Sequence, residues 1–271
     1  TVPDFGNNGA TVTFTAQWTA KTYNNTFNAN GGKFSDGATT KTFTMRYNTQ
    51  DYSMLETYIP TQAGYTFAGW YDSSNTQVYN SQGQSIAGTR YFNSSRNWIY
   101  DGTVTFYAHW TANKYKVTFD EAGGSSVSDI SNYTIESTIS FPSTTKAGYD
   151  FKEWQVTRAD GNWTNGATFN ANTTTTDKYG NVTLTAQWNY HTYTVTLDPN
   201  GGEVSPTSIR VTYQSTYGSL PTPTRDGYVF KGWYTSETSG TQILSTTKYT
   251  STQDTTIFAQ WQDTWANHAS D

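Results

Sequence analysis

YTVTLDPNGG, Tyr193–Gly202, reads as a strand that runs into a tight turn. Tyr193, Val195 and Leu197 alternate with Thr194, Thr196 and Asp198, a period of two that puts the first set on a core face. The Asn-Gly-Gly that follows supplies residues tolerant of positive φ. The stretch recurs as YKVTFDEAGG (Tyr115–Gly124) and YNNTFNANGG (Tyr23–Gly32), with nine residues from the Tyr to the second Gly each time. A chain that repeats a strand and its turn in one frame is a tandem array of small β modules.

Two further motifs keep the same frame. GYTFAGW, GYDFKEW and GYVFKGW end at Trp70, Trp154 and Trp233, and VTFYAHW, VTLTAQW and TIFAQW end at Trp110, Trp188 and Trp261. An orphan VTFTAQW ends at Trp18. These boundaries give residues 1–19 as the terminal strand of a preceding unit, 20–111, 112–189 and 190–262 as repeats 1, 2 and 3, and 263–271 as a tail. The second motif lies 40, 34 and 28 residues before the closing Trp in the three repeats, which places graded insertions ahead of the last strand. A longer parent protein is expected, because the sequence opens inside a unit and shows no export leader. No stretch shows a helical period, and a helical turn before Pro60, Pro142 or Pro221 is compatible with the sequence but not demanded by it.

Composition agrees with a β-dominated fold, α+β at most. Aromatic residues make up 17% of the chain and charged residues 14%, with 52 Thr against 5 Leu, which excludes a Leu-rich bundle and argues against disorder. The net charge of −5 comes with scattered Lys and Arg, so nucleic acid is not an expected partner. No apolar run is long enough for a membrane span, so no membrane is expected either. Without Cys there are no disulfides or thiolate metal sites. A Thr-rich, Cys-free, mildly acidic β chain suits an exported protein of a Gram-positive bacterium, at the cell surface or secreted.

The order Y-x-V-T-F-D-x-x-G-G, then P-x(n)-G-Y-x-F-x-G-W, then V-T-L-x-A-Q-W resembles the Listeria–Bacteroides repeat, the B-repeat of internalin-type surface proteins. The likeness covers residues 20–262; repeat 3 fits best, while repeat 1 departs at Asn24 and Asn25 and repeat 2 at Glu153, where the others have Gly69 and Gly232. It implies tandem β-grasp, ubiquitin-like modules in a stalk or adhesive segment, without enzymatic activity or a cofactor. The junctions add a direct argument. Five residues separate Trp18 from Tyr23, Trp110 from Tyr115 and Trp188 from Tyr193. Such a step spans at most roughly 18 Å, so adjacent repeats are expected to touch as a semi-rigid linear array. TAKT, TANK and NYHT hold no carboxylate for a stiffening calcium ion.

Candidate chemistry is sparse. His109 falls in the outward column of Gln17, Gln187 and Gln260, His191 in a junction and His268 in the tail, with no metal-binding spacing. Asp120, Asp198 and Asn28 share a turn column that suits a capping acceptor, and Asp101, Asp160 and Asp226 each precede Gly, so no catalytic pair is expected. The repeated Trp18, Trp70, Trp110, Trp154, Trp188, Trp233 and Trp261 read as core. Trp98 and Trp163 lie in the insertions of repeats 1 and 2, read as the same place in the frame, among polar residues. They invite a glycan-stacking role with Tyr100, Arg96 and Asn162, against the plainer reading that each pins its loop to its own domain, with Tyr91, Phe92 and Tyr100 as loop partners. Lys41 and Lys116 are the candidates for Lys–Asn isopeptide crosslinks. Expected partners are a host-surface glycan, a protein met through an exposed strand edge, and adjacent repeats of the parent chain, with the chain itself a monomer.

Overall fold

The computed structural model describes residues 9, 11, 13–50 and 58–264, and among these every regular element is a strand. The chain forms two compact units, residues 1–113 and 114–271. The first holds one five-stranded sheet: β1 (Thr22–Asn28), β2 (Thr40–Arg46), β3 (Tyr65–Tyr71), β4 (Gln77–Tyr79) and β5 (Thr105–Ala112), in the order β2-β1-β5-β3-β4.

The second unit repeats that order twice. Repeat 2 contains β6 (Tyr115–Asp120), β7 (Ile130–Tyr133), β8 (Ile139–Ser140), β9 (Tyr149–Ala159), β10 (Thr168–Phe169), β11 (Thr174–Thr175) and β12 (Val182–Tyr190), with the sheet β7-β6-β12-β9-β10 and a separate β8-β11 ribbon. Repeat 3 contains β13 (Thr192–Asp198), β14 (Ser208–Thr212), β15 (Tyr228–Tyr234), β16 (Gln242–Ile243) and β17 (Thr255–Asp263), with the sheet β14-β13-β17-β15-β16. In every five-stranded sheet the first and last strands of the repeat lie side by side and parallel, and the other pairings are antiparallel.

The two-residue alternation read from the sequence is the alternation of burial. Val182, Leu184 and Ala186 are buried along β12 while Thr183, Thr185 and Gln187 stay partly open. Each repeat has its own core, built in repeat 3 from Val195, Leu197, Val211, Trp233, Ile257 and Ala259. Trp70, Trp154 and Trp233 are buried in theirs. The indoles of Trp154 and Trp233 donate to the carbonyls of Pro142 (2.7 Å) and Pro221 (2.8 Å), which ties the third strand to the proline segment.

The closing Trp does something different. Trp110, Trp188 and Trp261 are half-buried, and their indole N–H groups reach back to the turn after the first strand. Trp110 donates to Ala29 O (3.1 Å), Trp188 to Glu121 O (3.1 Å) and Trp261 to Pro199 O (3.0 Å), the same position of the motif three times. The ring then lies against the second Gly: a Cβ on Gly32, Gly124 or Gly202 would fall within 2.7 Å of the indole. The turn is closed from below by its own first residue, since Asn28, Asp120 and Asp198 accept from the amides of Asn30, Ala122 and Asn200 at 2.8, 3.0 and 2.8 Å. Asn30, Ala122 and Asn200 all have positive φ.

Several expectations are corrected. Residues 13–19 form no strand, and Trp18 is 91% exposed, so it is not a core residue of the described structure. No helical turn precedes Pro142 or Pro221. Ile139 and Phe141 alternate and are buried, and β8 pairs with β11 instead. The segment before Pro60 falls at 51–57, outside the described residues. Glu153 does not abolish the local geometry: β9 skips one residue against β12 between Phe151 and Glu153, as β3 does at Phe67/Gly69 and β15 at Phe230/Gly232.

Gly202→Ala places a methyl group against both the Trp261 ring and the Thr224 carbonyl, backbone that cannot rotate away. The expected cost is about 1–3 kcal/mol, read as an earlier unfolding transition of the intact chain by circular dichroism or tryptophan fluorescence. Gly202 lies outside the left-handed region, so the cost comes from the clash and not from backbone strain.

Candidate functional site

The insertions fold back over the sheets as parts of the core. Trp98 is 1% exposed, and its backbone is laddered to the turn after β2: Asn48 N donates to Trp98 O (2.8 Å) and Trp98 N to Thr49 O (3.1 Å). Its ring packs on Tyr91, Phe92, Tyr100 and Phe106 at centroid distances of 5.9, 5.4, 6.2 and 6.4 Å. Trp163 is 7% exposed, donates to Tyr133 Oη (2.8 Å) and meets Phe169 edge-on at 5.7 Å. Arg96 sits at positive φ in the turn that Asn93 caps. Asn162 clamps the 177–179 loop, donating to Asp177 O (2.8 Å) and accepting from Tyr179 N (3.0 Å).

The stacking platform expected from these residues is therefore not presented to solvent. Trp98 and Tyr100 lie together in repeat 1 with Arg96 in a neighbouring turn, while Trp163 and Asn162 are in repeat 2. Nor do Trp98 and Trp163 hold one place in the frame. The counterpart of Trp98 is Tyr249 of repeat 3, 1% exposed, whose N donates to Ser215 O (2.8 Å) while Gln214 N donates to its carbonyl (2.9 Å). The sequence carried that signal: Trp98 and Tyr249 each stand twelve residues before their closing Trp. Trp163 instead fills the β9–β10 connection.

Repeat 1 pays for its departures with polar atoms in its core. Asn25 takes the column of Val117 and Val195 and is fully buried. Its Oδ1 accepts from Val104 N (2.8 Å), while its Nδ2 finds no partner among the described residues. Asp72, 4% exposed, is satisfied by the amides of Thr76 (2.9 Å) and Ser74 (2.9 Å) and by Tyr91 Oη (3.0 Å), with the Arg90 guanidinium at 3.7 Å. Burial works against its charge, yet these donors hold its carboxyl below the ordinary range.

Other titratable groups make local pairs. Lys41 and Lys116 each meet an aspartate at 2.7 Å, Asp36 and Asp129, and not the asparagine that the expected isopeptide bond requires. Those hydrogen bonds, with backbone donors, hold Asp36 and Asp129 low. Tyr23 donates to Asp101, which also pairs with Lys21 (3.2 Å). The hydrogen bond pushes the Tyr23 phenol up to about 12 and holds Asp101 down. His109 stacks on Tyr71 at 3.9 Å, His191 Nδ1 lies 2.8 Å from Asp150 Oδ1, and His268 is outside the described residues. Among the described residues no three His, Cys, Asp or Glu gather as metal ligands would.

The most specific surface is the junction between repeats 2 and 3, inside the second compact unit. β12 runs on to Tyr190 and β13 begins at Thr192, so the two modules share one residue of linker, His191. His191 N donates to Gly148 O (2.9 Å) in repeat 2, and Tyr213 N of repeat 3 donates to His191 O (2.9 Å). The Tyr213 ring occupies the space where a Cβ on Gly148 would stand, and it meets Tyr149 edge-on at 5.5 Å. Tyr149 also packs on Tyr190 at 5.0 Å. This is a docked joint made of backbone hydrogen bonds and aromatic contact, with His191–Asp150 at its margin.

Comparison with known proteins gives the chain its family. The Listeria-Bacteroides repeat domain matches residues 23–109, 115–187 and 193–260. A protein of Evansella cellulosilytica whose name calls it a Gly-rich membrane protein is 29% identical over 254 residues, 93% of this chain and 26% of the relative. Internalin H of Listeria monocytogenes is 35% identical over 119 residues, 43% of this chain and 20% of the relative. The chain thus spans about a quarter or less of the length of these relatives. It belongs to the Listeria-Bacteroides repeat family.

Two outcomes follow. Trp98→Ala and Trp163→Ala each empty a large buried site, so each is expected to lower stability by about 3–5 kcal/mol in chemical denaturation; an exposed platform residue would leave it almost unchanged. The depressed carboxyls of Asp36, Asp72, Asp101 and Asp129 contribute stability that is complete above their unfolded pKa and lost as pH falls through the folded value. Melting temperature is expected to hold from neutrality down to about pH 4.5 and to fall below about pH 4, as scanning calorimetry over a pH series would show.

Proposed function

We propose that this run of Listeria-Bacteroides repeats is a noncatalytic spacer in an extracellular bacterial surface or secreted protein, in which docked modules hold a more distal part of that protein at a set distance. The observation that carries the reading is the joint between repeats 2 and 3, where one linker residue and the Tyr213–Gly148 contact restrict bending. The family membership and the relationship to Internalin H support a surface-protein context. No helix of the described residues is long and apolar enough to cross a membrane. The order second-first-last-third-hairpin strand, with a parallel central pair, supports a β-grasp kinship in which, among the described residues, loops and not a helix cover the sheets. Glycan stacking through Trp98 and Trp163 is not part of this proposal, since both rings are inside.

A second reading, protein adhesion by strand addition, is favoured by β2. It is a seven-residue outermost strand with an uninterrupted register and exposed Thr40, Thr42, Thr44 and Arg46. A partner strand would pair with its open edge.

The spacer reading is tested by nitrogen-15 relaxation on the intact chain. Repeats 2 and 3 are expected to tumble as one body, with a single rotational correlation time and a common alignment tensor. Tyr213→Ala should separate the two tensors while each repeat keeps its own spectrum. Independent tumbling of repeats 2 and 3 in the unaltered chain would overturn the reading.

A further inference from the structure

Each repeat sets two threonines side by side on the parallel central strands, Thr26 with Thr105, Thr118 with Thr183 and Thr196 with Thr256. Among the described residues, only in repeat 2 does the third strand of the repeat reach that rung. β3 and β15 end at Tyr71 and Tyr234, the position of Gln155, whereas β9 continues to Ala159. The continuation contains a bulge: Leu184 faces Val156 and Thr183 faces Arg158, which leaves Thr157 as the extra residue. Strict alternation after the buried Val156 would send Arg158 inward, but the bulge leaves Thr157 and Arg158 both exposed in succession. Thr118, Thr183 and Arg158 thus form one row across β6, β12 and β9.

The row lies in a cleft of about 360 Å³ lined by Lys116, Thr118, Arg158, Asp160, Asn181 and Thr183. Its frame is fixed by Asn181, whose Oδ1 accepts from Lys116 N (3.0 Å) and whose carbonyl accepts from Asp160 N (2.9 Å). The Lys116 ammonium is already engaged by Asp129 at 2.7 Å. Among the described residues the Arg158 guanidinium, the Asp160 carboxylate and the hydroxyls of Thr118 and Thr183 have no hydrogen-bond or ion-pair partner. One cation, one anion and two hydroxyls are therefore left to meet a ligand. With strands about 4.8 Å apart, the row from β6 to β9 is wide enough for a sugar ring with its substituents.

We propose that this cleft binds a carboxylated sugar, a uronic acid unit of an extracellular polysaccharide. The guanidinium of Arg158 offers its planar fork to the carboxylate. Thr118 and Thr183 donate to and accept from ring hydroxyls, and Asp160 accepts from them. The charge balance selects among anions. A phosphate or a densely charged polyanion would be repelled by Asp160, with only Arg158 unengaged to offset it, whereas a sugar with one carboxylate and several hydroxyls uses both groups. The site is separate from Trp98 and Trp163, whose rings are buried. It is also independent of the spacer reading, which rests on the joint at His191.

The test is a titration of the intact chain with a galacturonic acid trimer, followed by proton–nitrogen correlation spectra. The neutral galactose trimer of the same linkage and inorganic phosphate are run beside it. Titration to about 10 mM covers a dissociation constant on the order of 1 mM. The amides of Thr118, Arg158, Asp160 and Thr183 are expected to shift together and to saturate with the acidic trimer, and to shift far less with the neutral trimer or with phosphate. Arg158→Ala, at an exposed position, should keep the spectrum of the free chain and weaken binding about tenfold or more, the loss of a charge-assisted pair. Thr183→Val, which keeps the shape of the side chain on the strand, should weaken it less. Amides of the cleft that stay fixed throughout, shifts that persist unchanged in Arg158→Ala, or an equal response to phosphate or to the neutral trimer would each overturn the proposal.

Discussion

Each repeat depends on one interaction, the reach of its closing indole to the turn after its first strand. A glycine is needed where the ring lies, a carbonyl where its N–H points, and a left-handed residue between them to bring the turn round. These three demands fall on segments 81, 67 and 62 residues apart in the three repeats. Meeting them sets the first and last strands side by side, and the remaining strands add on either flank of that pair. The Thr-bearing loop before the third strand joins the same cluster, since Lys33 and Glu203 exchange backbone bonds with Thr61 and Thr224. The recurrence of glycine, turn and tryptophan in one frame is thus the trace of a single contact.

Because that contact is local to one end of the sheet, the rest of the module is free to vary. Repeat 1 fills its far side with Tyr91, Phe92 and Trp98, repeat 2 with Trp163 and Phe169, and repeat 3, with the shortest insertion, with Tyr217 and Tyr249. Among the described residues no helix covers these small sheets, and loops bury their second layer of apolar surface instead. The unequal insertions serve that need with different residues, and the polar interior of Asn25 and Asp72 shows how much a module can absorb once its clamp is in place.

The repeat frame, the strands and the capping role of Asn28, Asp120 and Asp198 were legible in the sequence, because alternation and turn chemistry act over a few residues. The fate of Trp98 and Trp163 was not. A tryptophan among Asn, Asp, Arg and Ser looks exposed when only its neighbours in sequence are counted, yet its surroundings are set by loops that return across the sheet. Trp18 carries the motif of a core residue but stands 91% exposed in a segment that pairs with no described strand. The joint at Tyr213 left no sign in the motif comparison, because Tyr213 corresponds to Tyr47 in repeat 1 but to Ile135 in repeat 2, and the shared feature is a backbone bond.

The parallel pairing of first and last strands has a consequence for load. When a module is pulled by its two ends, tension enters at the start of one central strand and leaves at the end of its parallel neighbour. The strands are then sheared along their length, so their bonds resist together instead of unzipping one at a time. Val182 to Thr185 against Val117 to Asp120, and Val195 to Asp198 against Thr255 to Phe258, are the pairs that would carry such a pull.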